Sequence, residues 1–571
     1  MKSAALVLMV AASLVLSACG GGGGSAGGCT GSASVCSASA SASASASAAP
    51  PPATAALPGA VGESAFASST SFAGQCVAPR APGTIDQYTG QLYTDTAGSL
   101  ATELNWIRSF VNETYLWYDE VPAIDLAAYQ VGASVSVFAP ATNARSTTLL
   151  RTPTEVTNAF FNSQRTPLTT ASGKPKDQFH FIYPTAEWSA LSQAGTSVGF
   201  GFELALVASS PPRKILVAYN SPDTVAAANR LGRGVQFVSV NGVDVVNGAD
   251  VDTINEGLFS PVAGKAYTFE VLDPGSTVAR TVSMTAANVV SVPVQNVQAL
   301  STPSGSVGYM LFNDHLATSE RQLIAAVNLL KAANGGAGVS DLVLDIRYNG
   351  GGLLDIASEL AYMIAGPAAT DGKFFERLSF NRKFTLNGVA RTTPFIGVSQ
   401  GFSTVRGQTL PRLSLPRVFV LTTRNTCSAS ESVINGLRGA GVEVIQIGTT
   451  TCGKPYGFYA TENCSTTYFT VQFKGVNNAG FGDYADGFVP DGVGVTTGNH
   501  LNGCTVSDDF GRGLGDPQEA QLAAALQYRA SGACPQSAAS KRVGAGQAQE
   551  SPALLVRSVL RENRLLPAGW K

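Results

Sequence analysis

Asn425-Thr-Cys-Ser-Ala-Ser-Glu431 follows a short apolar run at residues 418–422 and leads into a mixed stretch at 429–438. The run reads as a buried strand, the quoted residues as a polar turn, and 429–438 as a helix. A strand-turn-helix junction of this kind decides for an α/β fold, and it presents Ser428 where helical N–H groups point out of the helix start. A second apolar strand at 442–447 runs into Thr450-Thr-Cys-Gly-Lys-Pro-Tyr-Gly457, which places Lys454 26 positions after Ser428. A strand-helix-strand unit can bring both side chains to one edge of a sheet.

Ser428 and Lys454 read together as a serine nucleophile and its base. A serine hydroxyl reacts only when a neighbour takes its proton, and an ammonium of pKa about 10.4 does that only after desolvation or nearby positive potential has lowered it. Ser428 with Glu431 three residues on also fits a helix capping box, so capping and catalysis compete for one hydroxyl. Cys427 is the alternative nucleophile, although no His stands near it in sequence. Upstream, Asp345-Ile-Arg-Tyr-Asn-Gly-Gly-Gly352 joins an apolar strand at 342–346 to a helix starting near Leu353. Three glycines let backbone approach a ligand closely, or form a plain turn.

These segments resemble the carboxyl-terminal processing, or tail-specific, serine peptidases. The resemblance implies that Ser428 is the nucleophile and Lys454 the general base. It also implies that the backbone N–H groups of Ala429 and of Gly350 or Gly351 form the oxyanion hole. Such donors contribute roughly 3 to 4 kcal/mol each. That family carries a Gln four residues after the Lys, where this chain has Phe458; Gln472 or Gln446 could substitute through space. The implied fold is a multidomain α/β one: a small helical N-terminal region, a PDZ-like β-rich domain, and an α/β protease core of the crotonase/Clp-like type. No cofactor is implied.

The 571 residues, 44% hydrophobic and 13% charged, suffice for two to four domains with real cores. A formal net charge of −2, with no basic stretch carrying interleaved aromatics, gives no case for nucleic acid. No apolar run after the N-terminus reaches spanning length. At the start, Lys2, an apolar stretch at 4–16 and Leu16-Ser-Ala-Cys19 form a lipoprotein signal peptide over residues 1–19, with Cys19 as the acylated residue. Gly20 after it favours the outer membrane, facing the periplasm or the surface, in a host that has one. Residues 20–75, rich in Gly, Ser, Ala and Pro, cannot bury a core and read as a flexible tether.

The eight Cys besides Cys19 fit disulfides in an oxidising compartment. Proximity suggests Cys452 with Cys464 and Cys504 with Cys534. His180, His315 and His500 are isolated and show no metal-ligand spacing, so no metal site is expected. Residues 76–194 form the helical N-terminal region, with helical spacing from Leu104 to Trp117 and at 156–161. Residues 195–291 form the PDZ-like domain. Its Val198-Gly199-Phe200-Gly201-Phe202 resembles a carboxylate-binding loop, whose N–H groups hold a peptide C-terminus while the peptide adds as a strand. The core spans 292–535, and 536–571 is a polar tail, weakly amphipathic from 554 to 566. Asp483 and Asp486 read as a solvated turn rather than a calcium site.

The expectation is an envelope-anchored serine endopeptidase that takes exported polypeptides with exposed C-termini. A non-catalytic peptide-binding lipoprotein and an acyl hydrolase on the same core are the alternatives.

Overall fold

The computed structural model describes residues 66–139, 144–170, 172–384, 392–492, 494, 496–535, 554–556 and 564–566. Cys19, its leader and the tether up to residue 65 lie outside the described residues.

The N-terminal region forms helices where apolar residues recur at helical spacing. Helix α1 (Leu100–Thr114) begins at a capping box between Ser99 and Thr102 and buries Leu104, Trp106, Ile107, Phe110 and Val111. Helix α2 (Pro153–Ser163) begins at a box between Thr152 and Glu155, with proline in its first turn. Their aromatic residues pack: Trp106 stacks on Phe110 at 4.8 Å, and Phe161 on His180 at 3.8 Å. More sheet is present than the helical expectation allowed. Ser134–Ala139 pairs with Ala144–Leu149, and Phe181–Pro184 pairs with Thr466–Phe469. A strand whose partner lies so far along the chain leaves little local signal, because pairing rather than propensity stabilises it.

Residues 196–290 contribute a β-rich part with its own hydrophobic core. Strands β1 (Phe202–Ala208), β2 (Lys214–Asn220), β3 (Gln236–Val240), β4 (Ala266–Leu272) and β5 (Arg280–Thr285) make an antiparallel sheet in the order β5-β4-β3-β2-β1. Burial alternates along β4 and β5, and the inward residues close a core around Phe200, Val217, Phe237 and Phe269.

The core begins with the antiparallel pair β6 (Val294–Thr302) and β7 (Gly305–Phe312). Along the chain follow β8 (Asp341–Asp345), β9 (Gly352–Leu353), β10 (Phe374–Phe380), β11 (Arg417–Thr422), β12 (Glu443–Gly448), β13 (Tyr456–Tyr459), β14 (Phe473–Val476) and β15 (Gly503–Thr505). The main sheet runs β6-β7-β8-β11-β12-β15, and every pairing after β6 is parallel.

Helices α3 (Ser319–Ala332), α4 (Leu354–Ala365), α5 (Ala429–Ala440) and α6 (Ala520–Ser531) cover it. Leu342, Leu344, Val418 and Val420 pack with α4 and α5, whereas Val343, Phe419 and Leu421 pack with α6. Burial on both faces explains why β8 and β11 read as continuous apolar runs. Each such side chain contributes about 1.5–3 kcal/mol.

Two tail strands complete the pairing. β16 (Leu554–Val556) lies antiparallel to β1, and β17 (Arg564–Leu566) runs parallel to both β9 and β13. Among the described residues no helix is long and apolar enough to cross a membrane.

Candidate active site

Three loops leave the carboxyl ends of neighbouring parallel strands: 346–352 after β8, 423–428 after β11 and 449–455 after β12. In open α/β sheets that edge is where ligands bind. Gly350, Gly351, Ser428 and Lys454 lie on these loops, and Ala429 is the first residue of α5.

Ser428 stands at the start of α5 with φ 60° and ψ −117°. A non-glycine residue held there stores about 1–3 kcal/mol of strain, a feature of sharp turns that project a side chain. Its Oγ is buried and has no hydrogen-bond partner among the described residues. The competition between capping and chemistry is resolved by Glu431, whose Oε2 accepts the Ser428 N–H at 3.0 Å. The hydroxyl remains uncommitted.

Glu431 also holds the next loop. Its Oε1 accepts from Thr451 Oγ1 at 2.6 Å and the Gly453 N–H at 2.9 Å, and its Oε2 accepts the Lys454 N–H at 2.8 Å. Burial pushes this carboxyl above its ordinary range, and the bonds from Thr451, Lys454, Gly453 and Ser428 pull it back. Gly453 has φ +89°, and a Cβ there would stand 2.3 Å from the Ala485 carbonyl oxygen, so the turn presenting Lys454 needs glycine. Glu431→Gln turns an NH₂ toward one pair of these donors. It is expected to lower the unfolding free energy in urea by about 1–3 kcal/mol; an unchanged midpoint would show that the carboxylate does not hold the two loops.

A disulfide joins the same loops. Cys427, next to Ser428, is bonded to Cys452, two residues before Lys454, with Cα atoms 5.2 Å apart. Closing this 25-position loop contributes about 3 kcal/mol. The expected Cys452–Cys464 bond is not formed: Cys464 is bonded to Cys76, 388 positions away. Sequence proximity misled because the N-terminal region folds back on the core. Cys504–Cys534 is formed as expected. With its sulfur in a disulfide, Cys427 is no thiolate nucleophile. The two groups of three potential metal ligands among the described residues, Cys76-Glu103-Cys464 and Cys427-Glu431-Cys452, each contain such a bonded pair.

Lys454 is fully buried, with Nζ 4.6 Å from the Phe179 ring centre and 4.4 Å from that of Phe458. Phe458, standing where the resembling family has Gln, therefore contacts the lysine head through its ring face. Gln472 Oε1 accepts the Tyr459 N–H at 3.1 Å, and Gln446 Nε2 donates to Thr422 Oγ1 and the Phe488 carbonyl, both at 3.0 Å.

The glycine loop is fixed by Asn349 and His315. Asn349 Oδ1 accepts the Gly351 N–H and faces His315 Nδ1, each at 3.0 Å. Its carbonyl accepts the Cys427 N–H at 3.0 Å and Ser430 Oγ at 2.9 Å, which ties this loop to the start of α5. His315 is buried, and burial pushes its pKa down to about 3, so the ring is neutral. Gly352 has φ +131°, and a Cβ would fall 2.5 Å from the His315 carbonyl oxygen.

Beneath the loop, Arg347 pairs with Glu519 through two bonds of 2.7 and 2.9 Å, with Asp345 at 3.0 Å and with Asp508 at 2.9 Å. Asp508 also binds Arg233 of the β-rich unit at 2.6 Å. The roles of Glu431, Asn349, His315 and Phe179 were not assigned from sequence; the capping-box spacing marked Glu431, and Asn349 stands within the Asp345–Gly352 segment.

Val198, Gly199, Phe200 and Gly201 lie in the β-rich unit, at the approach to β1. Val198 and Gly199 belong to Thr196–Gly199, paired with Ala287–Val290; Phe200 is buried in that unit's core; Gly201, at φ +94°, turns into β1.

Residues 306–472 match peptidase family S41, a span that includes all three loops. A carboxyl-terminal-processing protease of Picosynechococcus sp. is 27% identical over 272 residues, 46% of this chain. The chain spans 56% of that relative's length. A candidate S41 protease from Bacteroides fragilis shares the fold at TM-score 0.51 and 21% identity, covering 77% of this chain and 98% of that one. The photosystem II D1 C-terminal processing protease matches at TM-score 0.39 and 18% identity, covering 69% and 93%. Residues 306–472 thus match the peptidase family S41 model, and the chain is similar over 272 residues to a carboxyl-terminal-processing protease.

Proposed function

We propose that the chain is a serine endopeptidase that attacks peptide bonds with Ser428 and uses Lys454 as its base. The observation that carries this reading is the Glu431 carboxylate, which accepts N–H groups from both the Ser428 and Lys454 positions while the serine hydroxyl has no hydrogen-bond partner among the described residues. Full burial of Lys454 favours its neutral, proton-accepting form. Lys454 takes the Ser428 proton as Oγ attacks the carbonyl carbon, and returns it to the departing amine. Water then attacks the acyl ester, with Lys454 again moving the proton. The N–H groups of Ala429 and Gly350 receive the oxyanion; that of Gly351 already donates to Asn349.

The β-rich unit is read as PDZ-like, receiving polypeptide C-termini at the loop Val198 to Gly201 and along β1. The substrates are exported polypeptides, and acylated Cys19 anchors the protein in the cell envelope. Retention of a Cys19→Ser variant in the membrane fraction would contradict the anchor. The peptidase reading is tested on an unfolded polypeptide with an apolar C-terminus, incubated with the parent, Ser428→Ala and Lys454→Ala proteins. Cleavage by the parent alone supports it; equal cleavage by all three, or by none, refutes it.

A further inference from the structure

The described part of the tail pairs both with the β-rich sheet and with strands next to the candidate site. At residues 554–556 the backbone adds to the β-rich sheet, Leu554 opposite Leu206, Leu555 opposite Ala205 and Val556 opposite Leu204. Without it β1 would be the outer strand on that side of the sheet, an edge open to pairing. Eight residues later the backbone enters a slot. Gly352 and Leu353 pair with Arg564 and Leu565 on one side, and Phe458 and Tyr459 pair with Leu565 and Leu566 on the other.

The walls of this slot continue the candidate catalytic loops. Gly352 stands two residues after Gly350, and Phe458 four after Lys454. Ser428 and Lys454 are fully buried in this arrangement, and Ser428 Oγ has no partner among the described residues.

The sequence suits the placement. Residues 554–566, Leu-Leu-Val-Arg-Ser-Val-Leu-Arg-Glu-Asn-Arg-Leu-Leu, contain neither Pro nor Gly, so each can donate an N–H to a ladder. Because these strands belong to the same chain as their partners, even a weak pairing is intramolecular and stays occupied.

We infer that residues 554–556 and 564–566 are the resident strands of a two-part extended-chain site, the edge of β1 and the slot between β9 and β13, and that an external polypeptide binds by displacing them. The inference rests on the peptidase reading for its meaning, but not for its test.

The test uses the full chain carrying Ser428→Ala, so that nothing is cut, and compares it with the same chain carrying Leu555→Pro and Leu565→Pro. Each proline removes one N–H at the centre of a tail strand. Far-ultraviolet circular dichroism checks that the fold is retained. The probe is a fluorescent synthetic peptide of residues 552–571. The proline-bearing protein is expected to bind it roughly tenfold more tightly or better, because the competing tail has been released. Hydrogen exchange at 352–353, 458–459 and 204–206 is expected to quicken in that protein and to slow again on adding the peptide. Equal affinity with unchanged exchange overturns the inference. A variant with Leu565→Pro alone is expected to release 352–353 and 458–459 first; release of neither segment also overturns it. Tight peptide binding by the released form, in a chain whose parent cleaves nothing, would sink the peptidase reading and leave the resident tail standing.

Discussion

Ser428→Ala is expected to lower peptide turnover by roughly 10⁴- to 10⁶-fold and to leave the fold intact. The loss is large because the two neighbouring alternative nucleophiles are committed: Cys427 is held in a disulfide, and Ser430 Oγ donates to the Asn349 carbonyl. The fold survives because the Ser428 hydroxyl makes no hydrogen bond among the described residues, so removing it breaks none. A buried hydroxyl without a partner is itself unfavourable, and the unfolding free energy of Ser428→Ala should stay within about 1 kcal/mol of the parent's or exceed it. Single-turnover kinetics and urea unfolding check the two halves. Lys454→Ala should show a comparable kinetic loss, but with lower stability, because it empties space between Phe179 and Phe458.

Arg347→Met is expected to cost about 3–5 kcal/mol of stability, the largest effect of any single change named here on the fold itself. Arg347 is fully buried and stands between Asp345, Asp508 and Glu519, of which Asp345 and Glu519 are themselves fully buried. Removing the guanidinium leaves their charges without a cation in a medium that solvates them poorly. Asp345 already sits above its usual range through burial, and losing the arginine would drive it further toward the neutral form. Arg347→Lys should recover only part of the loss, since one ammonium cannot reproduce the two parallel bonds to Glu519. Denaturation of both variants measures this directly. A loss below about 1 kcal/mol would mean that the network is hydrated and weak.

The loops that carry Ser428 and Lys454 were legible because their signal is local. A buried apolar strand, a polar turn and a helix start can all be read within fifteen residues around Ser428, and the parallel strands β8, β11 and β12 announce themselves as short apolar runs. What could not be read depends on contacts between distant parts of the chain. Glu431 looked like half of a capping box, and only the fold shows it reaching Lys454. Cys76 finds Cys464 because the strand Phe181–Pro184 pins the N-terminal region to the core. The tail strands pair two or three residues at a time with backbone partners, a pattern that leaves almost no trace in side-chain periodicity.

The central claim is that Ser428 is the nucleophile, and covalent trapping tests it most directly. The full-length protein is treated with a serine-reactive fluorophosphonate and digested, and the modified residue is located by mass spectrometry. The expected result is a single adduct on Ser428, abolished in Ser428→Ala and strongly slowed in Lys454→Ala. An adduct on any other residue, or polypeptide cleavage that persists in Ser428→Ala, would contradict it.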